Sequence, residues 1–186
     1  FHPLARQDEL PWVPKSRYGI MKRYLPLRGT GGLDMMRRTS TVQANFDYSS
    51  EEGAMRSLTI ALRLSPVVTA MFANSPFVEG KVWTGKSRRA HTWLDVDPAR
   101  QGLLASVIHG KRKFIDYIDW ALDAPMFLIK RDGHVLENTG QSFRSFMENG
   151  FRGHRATQTD WQTHLNTMFP EVRLKRTLEV RGADSQ

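Results

Sequence analysis

No cysteine occurs anywhere in the 186 residues. Disulfides, thiolate metal sites and a cysteine nucleophile are therefore excluded within this sequence, and a reducing compartment suits it. On that ground we expect a cytoplasmic location. No apolar run approaches the roughly 18 residues that a membrane span needs, so no membrane partner is expected. The six histidines never fall at i and i+4, which leaves no paired imidazole site for zinc. Internal repeats and low-complexity tracts are also missing.

What is present is basic. Lys and Arg number 27 against 19 Asp and Glu, a formal net charge of +8. Such an excess suits nucleic acid or small anions. The densest runs, Lys86-Ser87-Arg88-Arg89 and Lys111-Arg112-Lys113, are short, and the remaining cations are spread along the chain. Anionic small molecules are therefore favoured and no nucleic acid is expected. Apolar residues at 40% and charged residues at 25% are ordinary for a folded domain with a core.

Punctuation and periodicity outline the elements. Residues 1–14 carry three prolines and read as loop. A helix is predicted from Arg17 to Leu25, ended by Pro26 and Gly29-Thr30-Gly31-Gly32. Thr39 to Asp47 alternates as a strand, with Thr41, Gln43 and Asn45 on one side and Val42, Ala44 and Phe46 on the other. Ser49 or Ser50 caps a helix through Glu51 and Glu52 to Leu64. Pro66 opens a further helix to about Ala73. Residues 81–112 read mostly as loop, with a short helix after Asp97-Pro98. Helices are predicted over Phe114–Leu122, Ser142–Met147 and Asp160–Phe169. A strand is predicted over Met126–Lys130, followed by an Asp132-Gly133 hairpin turn. The chain closes with one strand, Glu171 to Arg181. Arg173, Lys175, Thr177, Glu179 and Arg181 share one face of it; Val172, Leu174, Leu178 and Val180 share the other, interrupted by Arg176. Strands and helices do not alternate as βαβ units, so the fold class is α+β with a mostly antiparallel sheet.

Two strands thus carry polar faces. Glu179 and Arg181 project the same way, about 6–7 Å apart. A carboxylate there is suited to Mg²⁺, and the guanidinium beside it to a phosphate or carboxylate. Taken alone, Glu-x-Arg on an exposed strand is more often an intrastrand ion pair. The amide pair Gln43 and Asn45 is more often a solvated face.

Four longer stretches carry more information: Pro14-Lys15-Ser16-Arg17-Tyr18-Gly19-Ile20-Met21; Gly32 through Asp47, including Thr41-Val42-Gln43-Ala44-Asn45; Phe72-Ala73-Asn74-Ser75-Pro76-Phe77 with Glu79-Gly80-Lys81; and Phe169-Pro170-Glu171-Val172-Arg173-Leu174 leading to Leu178-Glu179-Val180-Arg181-Gly182-Ala183-Asp184. In this order they resemble the glutamate–cysteine ligase family of plants and many proteobacteria, over nearly all of the sequence. The resemblance implies a glutamine synthetase-like catalytic fold, a curved antiparallel sheet with flanking helices. It implies a ligase using ATP and Mg²⁺ to join glutamate and cysteine, the first step of glutathione biosynthesis. It also implies that residues 1–186 are one internal segment, without the family's acidic metal-binding strand and C-terminal part, and inactive alone.

By resemblance, Glu179 is a metal ligand and Arg181 contacts the transferring phosphate or the glutamate carboxylate. Gln43 and Asn45 lie near nucleotide or metal. Arg89 binds glutamate and assists catalysis, with Arg88 as the alternative in a shifted register. Thr41 and Trp93 are pocket walls. A ligase with another amine acceptor, or a non-catalytic binding relative, would share these residues. Oligomeric state has no signature in them.

Overall fold

The computed structural model describes residues 1–110 and 113–185. Lys111 and Arg112 of the second basic run lie outside the described residues. In chain order the principal elements are α1 (Ser16–Tyr24), α2 (Gly32–Arg38), β1 (Thr41–Phe46), α3 (Glu51–Met71), β2 (Phe77–Val78), β3 (Lys81–Val82), α4 (Arg88–Trp93), β4 (Gln101–Gly102) and α5 (Ala105–His109). Then follow α6 (Phe114–Asp123), β5 (Leu128–Arg131), β6 (His134–Glu137), α7 (Phe143–Asn149), α8 (Gln158–Leu165), β7 (Phe169–Pro170), β8 (Val172–Leu174) and β9 (Leu178–Asp184).

The architecture is α+β. The main sheet has the order β1-β9-β8 and is antiparallel throughout; β2-β3 and β5-β6 are antiparallel ribbons, and β4 pairs with β7 in parallel. Helix α3 lies on one face of the main sheet. Its Ala54, Met55, Leu58 and Leu62 recur at helical spacing and pack against Val172, Leu174 and Leu178, with Leu104, Val107 and Tyr117 closing the cluster. Fully burying a side chain of the Leu or Met kind contributes roughly 1.5–3 kcal/mol, so this cluster dominates the hold of α3 on the sheet. A second cluster joins α1 and α2 to Val96, Phe127 and Leu128. A third packs Met126 and Ile129 against Phe143 and Phe146 of α7.

Three expectations change. The helix predicted to stop near Leu64 runs through Pro66 to Met71 as one 21-residue element. A proline inside a helix removes one backbone bond, and packing of α3 on the sheet carries the chain past it. Ser50 caps its start, accepting from Gly53 N at 3.0 Å. The single closing strand is a hairpin, with β8 and β9 joined across Lys175–Thr177; Arg176, the exception in the apolar alternation, marks the turn. Residues 81–112, read mostly as loop, contain α4 and α5, while a turn replaces the helix expected after Asp97-Pro98. Both helices are short, six and five residues, too short for a periodic signal.

Candidate active site on the polar face of the sheet

Register decides which polar groups meet. β9 runs between β1 and β8, so Glu179 has Asn45 across from it on one side and Arg173 on the other. Leu178 and Val180 face α3, so the alternate residues Glu179 and Arg181 face away from it. Glu179 is buried, and its carboxylate is the centre of a charge cluster. Oε2 accepts from Arg173 Nε at 2.6 Å, and Arg173 NH2 stands equally close. Oε1 accepts from Arg181 NH1 at 3.3 Å. Lys175 Nζ lies 4.0 Å from Oε2. With its amide nitrogen turned to the carboxylate, Gln43 donates to Oε1 and accepts from Arg181 NH1 at 3.3 Å.

Three cations share the Glu179 carboxylate, and the buried Glu171, which acts on Arg181 and Arg89, offsets that excess only in part. Burial, reinforced by Arg173 and opposed by Glu179, pushes Arg181 down to about 10. Lys175 is lowered as well, by burial first and then by Arg173. Arg181 remains protonated at neutral pH, and an anion beside the cluster would relieve both shifts.

A β-bulge aims this face. Val42 pairs with Ala183 and Ala44 with Val180, so β9 carries one residue more than β1 opposite Gln43. Arg89 holds the freed carbonyls: NH2 donates to Arg181 O at 2.7 Å and NH1 to Gly182 O at 3.2 Å. The Thr41 hydroxyl lies 3.0 Å from the same Arg181 oxygen. A Cβ on Gly182 would stand 2.9 Å from Glu171 Oε2, so a side chain there requires that carboxylate to move.

Arg89 is seated by a buried network. Its backbone N–H donates to Ser75 Oγ at 3.1 Å. The hydroxyls of Ser75 and Ser87 in turn donate to the Asp184 carboxylate at 2.6 and 2.8 Å. Ser87 also caps α4, accepting from Ala90 N at 3.0 Å. Burial lowers Arg89 from its ordinary value, and Glu171 and Asp184 oppose that shift.

A cavity of about 250 Å³ opens beside the cluster. Thr41, Arg89, Trp93 and Arg181 line it together with Arg17 and the apolar Met21, Met35 and Phe127. Two buried donors, Arg89 Nε and Trp93 Nε1, have no hydrogen-bond partner. Unmade bonds of this kind cost about 1–3 kcal/mol each, so they favour an acceptor. A wider cleft of about 740 Å³ lies between α6, α8 and the β8-β9 turn, lined by Tyr48, Phe114, Trp161, Gln162, Asn166 and Lys175 among others. Asn166 lines both spaces.

The structure therefore brings Gln43, Glu179 and Arg181 together, and puts Thr41, Arg89, Trp93 and Arg181 around one cavity. Asn45 stands apart, exposed, with Oδ1 accepting from Thr177 at 3.2 Å. Arg88 lies 3.7 Å from Asp34 and against the rings of Phe1 and Trp83, and does not line that cavity. Glu179, expected as a metal ligand, has both oxygens engaged by guanidinium groups. Among the described residues no group of three or more His, Asp or Glu is placed to hold a metal. Sequence reasoning gave no role to Arg173, Arg17 or Asp184. Arg173 shared the polar alternation with Glu179, and that signal could have found it.

Gly80-Lys81-Val82-Trp83-Thr84-Gly85-Lys86-Ser87 has the spacing of a phosphate-binding loop. In the fold, Lys81-Val82 is a strand, Trp83 packs over Gly85, and the Ser87 hydroxyl is committed to Asp184 and the cap of α4. That is not a loop between a strand and a long helix.

Fold and site together define an α+β domain whose sheet turns a cationic, carboxylate-centred face to a cavity of small-molecule size. A family model described as Glutamate-cysteine ligase family 2 (GCS2) matches residues 1–186, and the chain belongs to this family. It is similar to the chloroplastic glutamate–cysteine ligases of Brassica juncea and Arabidopsis thaliana, 47% identical to each over 99% of this chain and 36% of theirs. It is 48% identical to glutamate–cysteine ligase B, chloroplastic, of Oryza sativa subsp. japonica, over 99% of this chain and 38% of that protein. The chain thus spans little more than a third of the length of these relatives. Their chloroplastic names overturn the expected cytoplasmic location. Addresses are carried by targeting segments and not by core residues or cysteine count. No described helix is long and apolar enough to cross a membrane.

Proposed function

We propose that residues 1–186 form an internal segment of the catalytic domain of an ATP-dependent ligase that joins glutamate to cysteine through the glutamate side chain. The observation that carries this reading is the surplus of buried positive charge around Glu179, next to a cavity with unpartnered Arg89 and Trp93 donors, in a chain of this family.

The reaction has two balanced steps. A γ-carboxylate oxygen of glutamate attacks the γ-phosphorus of ATP; the bond to the bridging oxygen breaks, and ADP leaves an acyl phosphate behind. The cysteine amine then attacks the acyl carbon, phosphate departs with the bonding pair, and the amine loses a proton. The first step gathers several anions, so positioning and charge neutralisation dominate it. Arg181 faces the cavity and would bear the developing phosphoryl charge, with a loss of about 10²–10³ in rate on removing a donor of this kind. Glu179 and Gln43 hold that guanidinium, and Arg173 holds Glu179. Arg89 fixes the bulge that carries Arg181 and, with Thr41 and Trp93, offers its free edge to the glutamate. The wider cleft, with ring walls, amides and Lys175 reaching toward Glu179, suits the base and phosphates of ATP.

Magnesium does not fit the residues described. A carboxylate clamped by Arg173 and Arg181, with no cluster of three His, Asp or Glu around it among the described residues, does not fit a divalent cation. Its ligands would have to come from outside these residues, and no step above depends on it.

The test uses the family-length gene product containing this segment. It should form γ-glutamylcysteine and phosphate from glutamate, cysteine and ATP, and Arg181→Ala should lower kcat at least about tenfold. No ATP-dependent product, or an Arg181→Ala turnover within about twofold of the parent, would overturn the assignment.

A further inference from the structure

The cavity at Arg181 adjoins a second space besides the wide cleft. A groove of about 530 Å³ meets it over Arg17, Asn166 and Thr167, whereas the wide cleft meets it at Asn166 alone. Cations from two elements line the groove: Lys15 and Arg17 at the start of α1, and Lys130 on β5. Among the described residues no Asp or Glu lines it. All three cations are exposed, and none makes an ion pair with a described residue. Arg17 has only the ring of Tyr18, 5.2 Å from its guanidinium carbon. Neighbouring cations do have partners. Arg23, further along α1, takes Glu137 at 2.5 Å, and Arg131, next to Lys130, takes Asp160 at 2.7 Å. A single unpaired cation on an open surface is ordinary. Three around one concavity focus their field into it and raise the local concentration of anions.

We propose that this groove is the entrance by which glutamate reaches the cavity, an encounter site for a small dicarboxylate. Lys15 and Lys130 collect the anion, and Arg17, which lines both spaces, passes it on toward Arg89 and Arg181. The inference rests on the ligase reading above and names the route of one substrate. Glutamate is a net anion at neutral pH and cysteine is not, so the cations favour glutamate. ATP, the larger anion, has the wide cleft. Exposed charges act weakly at contact and are screened by salt. The groove therefore concentrates glutamate at the mouth without holding it, and no bond is made or broken there.

Steady-state kinetics of the family-length protein at saturating ATP and cysteine test this. The double reversal Lys15→Glu/Lys130→Glu should raise KM for glutamate at least about fivefold at about 20 mM salt. At about 500 mM salt, where screening acts within a few ångströms, the increase should fall below about twofold. The larger part of the change should lie in KM rather than in kcat. Lys81→Glu/Arg56→Glu makes the same change in net charge at exposed positions outside the groove. It should leave KM for glutamate within about twofold of the parent. An increase shared by that control, one that persists at high salt, or one found in KM for ATP instead overturns the proposal. The unsubstituted protein gives a readout independent of any variant's folding. Its KM for glutamate should rise at least about threefold over the same range of salt, and a flat response overturns the proposal. If the unsubstituted protein makes no γ-glutamylcysteine, the ligase reading falls and this inference with it. If it makes the product and the reversal leaves KM unchanged, this inference alone falls.

Discussion

Two of the centres that bury arginine in this molecule do so differently. Arg100 is fully buried, and each of its nitrogens has a partner. Nε donates to Asp97 Oδ2 at 2.7 Å, NH1 lies 3.2 Å from Thr167 Oγ1, and NH2 donates to Pro125 O at 2.5 Å. The Phe127 ring lies 3.9 Å from the guanidinium carbon. Asp97, equally buried, balances the charge. Around Glu179 the accounts do not balance: Arg173, Lys175 and Arg181 share one carboxylate, and Arg89 keeps Nε unpartnered. A closed set of bonds holds the fold together. An open one, beside a cavity, is arranged for something that arrives later.

The comparison can be broken at its strongest point first. Arg100→Ala leaves the buried Asp97 with only the half-exposed Arg28, 3.5 Å away, and should cost about 3–5 kcal/mol of stability by denaturant titration. A loss below about 1 kcal/mol would mean that the closed centre is not structural.

His164 tests the same half of the molecule by pH. Burial holds its imidazole down at about 4, outweighing the hydrogen bond to Ala121 O, with Arg100 adding to the depression. The unfolded chain, with the ordinary value of 6.5, binds the proton first. Stability is therefore complete above about 6.5 and falls as pH drops toward about 4, by up to about 3 kcal/mol. His164→Gln should flatten that slope in melts between these pH values; an unchanged slope would assign it to other groups.

Arg181→Ala belongs to the open centre and should reverse the pattern. Activity drops at least about tenfold while stability stays within about 1 kcal/mol of the parent, since removing one of three crowded cations relieves repulsion. A cooperative loss of fold would place Arg181 with Arg100. Asn45→Ala should do least: Asn45 is exposed and touches Thr177, so kcat and KM should move by no more than about twofold. A larger change would extend the open centre to the sheet edge.

Much of the fold could be read beforehand, because the strongest local signals survive folding. The Ser50 cap with its acidic first turn, the Asp132-Gly133 turn and the alternation of Thr41–Phe46 and Leu178–Arg181 are each set by neighbours in sequence. The errors fell where local signals compete with packing. Pro66 promised a break that the sheet overrides. The alternation that runs from Val172 to Arg181 concealed the hairpin at Lys175–Thr177, since a strand and a hairpin of even offset give the same faces. Helix α4, only six residues long, was missed because its placement rests on Ser75, Ser87 and Asp184, which are far apart in the chain.

Residue order alone settled the side-chain chemistry, the two-sided strands, the α+β class and the four long stretches that identify the family. Tertiary structure alone decided that Arg173 grips Glu179 and that a bulge turns Arg181 and Gly182 carbonyls toward Arg89. The reason is physical. Periodicity and capping are governed by bonds and sterics within a few residues, whereas the balance of buried charge depends on which strands become neighbours, and that is fixed only when the sheet is assembled.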